Sequence, residues 1–157
     1  MSTAEALSAL QHSGLARAIS KANHLVIAGL QIVHVFGFLL LLSALVLMSL
    51  RLLGLALGRQ SLSQVLRDPS RLFWLGLALA VVSGSLIFLT GPQHYFYNGA
   101  FELKMLLLLA AVLLQLTLFH AVARGSESHP LFTRLSVLLS LLLWFGVGAA
   151  GRAIGFT

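Results

Sequence analysis

Gln31, His34, His94, Asn98, Lys104 and Arg152 are the side chains of this sequence whose types and places suggest chemistry. A neutral imidazole is a good ligand for haem iron and other metals. Lysine and arginine clamp carboxylates and phosphates. Gln31 and His34 stand three apart, so on a helix they share a face, and Gly37 thins that face one turn further on. His94 falls in a short polar stretch, GPQHYFYN, that opens with the turn pair Gly91-Pro92 and also holds Tyr95, Tyr97 and Asn98. Glu102 and Lys104 stand at the mouth of the long apolar run that follows, and Arg152 sits among Gly146, Gly148 and Gly151 near the end of the chain.

These residues must be positioned by apolar helices. The chain has 157 residues, 59% hydrophobic and 9% charged, more apolar surface than a soluble domain of this size can hide, so an integral membrane protein is expected. The net charge of +6 gathers in loops and at span ends, which is a topology signal and not a nucleic-acid patch. With no cysteine, disulfides, thiolate metal sites and covalent haem attachment are excluded. No cleavable signal pattern precedes the first span.

The pattern predicts an all-α, four-span antiparallel bundle over 23–157, preceded over 1–22 by an amphipathic helix lying in the membrane interface. That helix is expected over 3–20, with Ser2 and Glu5 as a capping box. The spans are expected at about 24–57, 71–90, 100–124 and 131–154, each long enough for a bilayer. Gly58 is the expected stop of the first and Gly125 of the third. Asp68-Pro69 reads as an N-cap followed by proline at the first helical position. Gly76, Ala80 and Gly84 repeat every four residues and predict close helix approach. Ser83 and Ser85 can return their hydroxyls to the backbone.

Arg51, Arg59, Arg67, Arg71, Arg124 and Arg134 fall on one side; Arg17, Lys21, Lys104 and Arg152 fall on the other. The positive-inside rule puts the first group in the cytoplasm, so both termini and the His94 stretch face the periplasm of a bacterial inner membrane. At 1.5 Å per residue, His34 lies about 25 Å from the cytoplasmic boundary and His120 about 6 Å from it. The candidate residues therefore converge on the outer half. Ionisable groups within spans are functional candidates by default.

The motif order is HVFG (34–37), RLLGLAL (51–57), W-x-G (74–76), SG (83–84), Y-N-x-x-F-x-x-K-M (97–105), FH (119–120) and LW-x-GV-x-AAGR (143–152). It resembles a bacterial four-helix membrane family of unknown function. The layout is also similar to the membrane domain of copper-resistance protein D and to HemJ-type protoporphyrinogen oxidases. That resemblance implies haem or copper chemistry, with the relatives' first-span histidine and third-span lysine falling on His34 and Lys104. Gln31, Ser49 and Gln115 depart from the acidic or asparagine residues expected there, which weakens any carboxylate-dependent proton step.

The leading expectation is a b-type haem protein that transfers electrons in the membrane, linked to quinone or a redox partner subunit. His34 is its main ligand. His120 differs from it by about 19 Å in depth, too far to share one iron, so His94 is the expected second ligand. Lys104 and Arg152 would then pair with haem propionates, with Gln31 and Asn98 lining the site. The plainer readings are an interhelical hydrogen bond for His34, a lysine that snorkels outward for Lys104, and a pairing with Glu102 or lipid phosphate for Arg152. A copper-handling or transport protein with His34 and His94 as metal ligands is the alternative. A non-catalytic subunit or lipid-binding scaffold is the third. No nucleophile–base arrangement or phosphate loop is visible.

Overall fold

The computed structural model describes residues 3–20, 24–55, 62–123 and 130–156, all built from helices and turns. The Ser2 end of the expected capping box, the Gly58 and Gly125 stops, Lys21 and His129 lie outside the described residues. In chain order the helices are α1 (Thr3–Gln11), α2 (Gly14–Ser20), α3 (His24–Leu52), α4 (Leu62–Leu89), α5 (Pro92–Phe96), α6 (Gly99–Ala123) and α7 (Pro130–Ala153), followed by a 3₁₀ turn, Ile154–Phe156. Stretches long and apolar enough to cross a membrane are His24–Leu52, Asp68–Leu89, Gly99–His120 and Leu131–Phe156. The chain is a multi-pass membrane protein with an all-α, four-span bundle.

Several boundaries differ from the sequence expectation. Residues 3–20 form two helices rather than one. The His12–Gly14 link breaks them: the Ser13 hydroxyl accepts from the Ala16 N–H at 3.3 Å, starting α2, as a cap does. Leu7 and Ala16 are buried, because α1 packs against α5 and α2 against α4. The apolar side of this segment is thus turned at least in part toward protein. α3 stops before Gly54, which has φ +73°. The Leu55 N–H returns to the Leu50 carbonyl at 2.9 Å and the Gly54 N–H to that of Arg51 at 3.0 Å. This is a Schellman closure, and it uses the first glycine after the helix. α4 begins at Leu62, so Pro69 lies inside it and not at its first turn. One missing N–H costs less than leaving the preceding carbonyls unpaired near lipid. The His94 stretch is a single helical turn, α5, with Pro92 at its start.

The bundle is tightest between α3 and α4. A Cβ on Gly37 would come within 2.9 Å of the Gly76 carbonyl and the Ala80 nitrogen, and one on Gly76 within 2.5 Å of the Gly37 carbonyl. The small-residue stripe therefore brings backbone onto backbone. α3 also borders α7, and α7 borders α6. Phe119 of α6 stacks near Phe73 and Trp74 of α4, with ring centres 5.9 Å away in each pair. Going round the bundle the order is α3, α4, α6, α7, so α3 and α6 occupy opposite corners. The core consists of Leu41, Ala44, Leu45, Met48, Phe73, Ala111 and Trp144. It fills the half nearer Arg51 and leaves the half nearer α5 to other residues.

Candidate functional site

α3 carries His34 into that second half. The imidazole is half-buried and reaches across to α4, where its Nδ1–H donates to the Ala80 carbonyl at 2.8 Å. The Ser83 hydroxyl lies 3.3 Å from the same nitrogen. Its own proton is directed to the Leu79 carbonyl at 2.6 Å, so it offers His34 only a lone pair. A carbonyl cannot donate, so Nδ1 must carry the hydrogen and Nε2 of the neutral ring must carry the lone pair. Gly84 makes the approach possible: a Cβ there would sit 2.9 Å from His34 Cε1.

Nε2 faces Lys104. Its Nζ stands 3.5 Å away, at the outer limit of a hydrogen bond. Lys104 rises from the second turn of α6 and is half-buried rather than snorkelling outward. Its side chain runs along Gly151 of α7, where a Cβ would lie 3.4 Å from Nζ. Gly84 therefore makes room for the histidine, which meets a lysine from the opposite corner that lies in ordinary contact with Gly151. Among the described residues no carboxylate is recorded as pairing with Lys104.

The other predicted residues have other surroundings. Gln31 is exposed and lines a shallow groove of about 460 Å³ on the outer face of α3 with Ala28, Ile32, Val35, Phe36 and Leu39. The Asn98 side chain caps α6, its Oδ1 accepting from the Ala100 and Phe101 N–H groups at 3.0 and 3.1 Å. That is the usual N-cap role. His94 is exposed on α5 and meets the edge of the Tyr95 ring. The Arg152 guanidinium is exposed and lies 4.9 Å over the Phe156 ring. His120 is exposed and donates from Nδ1 to its own helix at Leu116. No group of three His, Cys, Asp or Glu side chains gathers for a metal among the described residues.

A match to the profile of a family of unknown function, DUF6644, covers residues 12–157. The chain belongs to the DUF6644 family. No curated protein matches it, and no solved structure does. In this DUF6644 protein, sequence reasoning had selected both His34 and Lys104 but not their mutual contact. It missed the Ala80 carbonyl and the two glycines as parts of the site. The every-fourth small-residue repeat was the available signal for Ala80 and Gly84. Nothing in the sequence marked Gly151 beyond its place in a glycine-rich turn.

Proposed function

We propose that this DUF6644 protein is a membrane b-type haem protein that transfers electrons within the bilayer, with His34 the residue that would hold the iron through Nε2. The observation that carries this reading is the tautomer of His34. Its Nδ1–H is engaged by a backbone carbonyl, the outer partner that metal-ligating histidines typically have, and its lone pair points inward. The bundle interior is where helical proteins build such sites. Gly84 seats the His34 ring against α4, where a Cβ would meet it at 2.9 Å.

Haem, when bound, supplies a one-electron carrier. The protein's own residues do the rest. Ala80 fixes the ring orientation of His34. Phe73, Trp144 and Leu41 close the bundle below the site and keep water from crossing. The excess of arginine on the Arg51 side supports an orientation with both termini on the periplasmic face of a bacterial inner membrane. Quinone or a redox subunit is the proposed partner.

The test is an absorption spectrum of protein purified from haem-replete cells, with metal analysis of the same sample. A Soret band that disappears in monodisperse His34→Ala protein is the expected result. Colourless wild-type protein ends the reading, and stoichiometric copper in its place would move the assignment to copper handling.

A further inference from the structure

The exposed polar side chains Ser43, Ser85, Thr117 and His120 turn back on their own helices. The three hydroxyls donate to the Leu39, Val81 and Leu114 carbonyls, each at 2.8 Å, and His120 Nδ1 meets the Leu116 carbonyl at 2.9 Å. Such back-bonding satisfies a group where lipid cannot. Gln31 differs. It is exposed, and its amide, with two donor hydrogens and an acceptor oxygen, meets no hydrogen-bond partner among the described residues. The groove around it on the outer face of α3 offers only Ala28, Ile32, Val35, Phe36 and Leu39.

Depth makes this costly. Leu25 and Val26 are exposed on one side of Gln31 along α3, and Ile32 and Phe36 on the other. The lipid-facing surface thus continues past Gln31 in both directions, inside the stretch His24–Leu52 that is long and apolar enough to cross a membrane. Polar groups within spans otherwise face the bundle interior. An amide turned outward at this level calls for a partner that can hydrogen-bond within the bilayer.

We infer that a second copy of this chain covers the groove, with the two α3 helices side by side about a two-fold axis along the membrane normal and the Gln31 amides hydrogen-bonded to each other. Three features select this occupant. An amide both donates and accepts, so two of them pair reciprocally. Copies inserted in one orientation carry each residue at the same depth, so this axis sets Gln31 opposite Gln31. The lining positions 28, 31, 32, 35, 36 and 39 follow the i, i+3, i+4, i+7, i+8 spacing of a helix face that packs on another helix. A lipid chain offers the amide nothing, and a different protein would need a polar group at that one level. Nothing in this pairing requires haem.

The sequence has no cysteine, so single replacements report on the contact directly. In full-length protein reconstituted into phosphatidylcholine–phosphatidylglycerol vesicles, Ala28→Cys or Val35→Cys is expected to give a disulfide-linked dimer on oxidation, since residues beside the axis come within the roughly 4.4–6.8 Å between Cα atoms that a disulfide spans. Leu106→Cys, exposed on α6 at the opposite corner, is expected to stay unlinked. Energy transfer between donor- and acceptor-labelled chains, followed over a range of protein-to-lipid ratios, gives the affinity. Gln31→Leu is expected to weaken it about 3- to 30-fold, the range for interhelical hydrogen bonds in membranes. Gln31 lies outside the core, so the fold of this variant is not at stake, and the cross-links test the interface without it.

The paired arrangement is overturned if neither Ala28→Cys nor Val35→Cys cross-links, or if Leu106→Cys cross-links as readily as they do. It is overturned equally if Gln31→Leu weakens association less than about threefold. Energy transfer no greater than that of randomly spread monomers also ends it, and would leave the groove to lipid or to a different protein.

Discussion

The two halves of the bundle solve opposite problems with the same four helices. Toward Arg51, large rings fill the axis: Phe73 meets Trp144 edge-on at 5.4 Å and Phe119 at 5.9 Å, and Phe73 and Trp144 are fully buried. Toward α5, Gly84 leaves space that the His34 ring takes up, Gly151 lies along Lys104, and two polar side chains enter the axis. Lipid gives helices no hydrophobic reason to associate, so their cohesion comes from packing and interhelical hydrogen bonds. The ring-filled half supplies that cohesion. The glycine-lined half can therefore carry groups that do little for stability. A variant that damages the first half should cost the fold, and one that damages the second should cost the site.

Trp144→Ala is the most severe way to break this contrast. It empties the largest buried side chain and is expected to lower stability by about 3–5 kcal/mol. The thermal midpoint in detergent or unfolding in bicelles measures it. His34→Ala should cost only about 1 kcal/mol, the usual net value of one hydrogen bond. If His34→Ala proves as damaging as Trp144→Ala, the division between halves is wrong. Trp144→Phe sharpens the same point. The Trp144 Nε1–H is buried with no partner among the described residues. Phenylalanine removes that orphaned donor together with some volume, so its loss should fall well below that of alanine.

Next in size is Gly76→Ala. Its methyl would meet the Gly37 carbonyl at 2.5 Å and the Leu41 nitrogen at 2.7 Å. Backbone cannot swing aside as a flexible side chain can, so α3 and α4 must part, at a cost of about 1–3 kcal/mol. Gly151→Ala is the matching change in the other half. The nearest atoms its methyl would meet belong to Lys104, at ordinary contact distances of 3.4–3.6 Å, and the fold should hardly respond. Thermal midpoints of the two variants, measured side by side, decide whether the α3–α4 seam is the rigid one.

These contrasts also explain what was readable beforehand. The four spans were legible because apolar length needs no tertiary information. The Gly76–Ala80–Gly84 stripe was legible because its period matches the helix. His34 and Lys104 stood out because polar groups within apolar helices are rare. Their meeting was not legible, since it depends on the order of helices around the axis, which no spacing within one helix encodes. Gly54 is not singled out as the stop of α3 because two glycines, Gly54 and Gly58, follow Leu52, and which one takes the left-handed turn depends on where the backbone closes. Asn98 looked like a site residue because a capping asparagine and a ligand-binding one are identical in sequence. Its replacement by alanine should cost about 1 kcal/mol and leave any spectrum untouched.

The smallest expected effect belongs to Ser83→Ala, and it bears on the assignment of the His34 tautomer. The Ser83 hydroxyl lies 3.3 Å from Nδ1, whereas the Ala80 carbonyl lies 2.8 Å away. The hydroxyl proton already goes to Leu79, and the oxygen is only a lesser acceptor for a hydrogen that Ala80 holds. Removing it should change stability by less than about 0.5 kcal/mol, within the range of substitutions that break no principal contact. The Nδ1–H form should persist, as read from the imidazole ¹⁵N shifts of labelled protein. A switch to the Nε2–H form in Ser83→Ala would mean that the hydroxyl, and not the backbone, holds the ring. The lone pair would then no longer face Lys104, and the glycine-lined half would lose the feature that sets it apart from the ring-filled one.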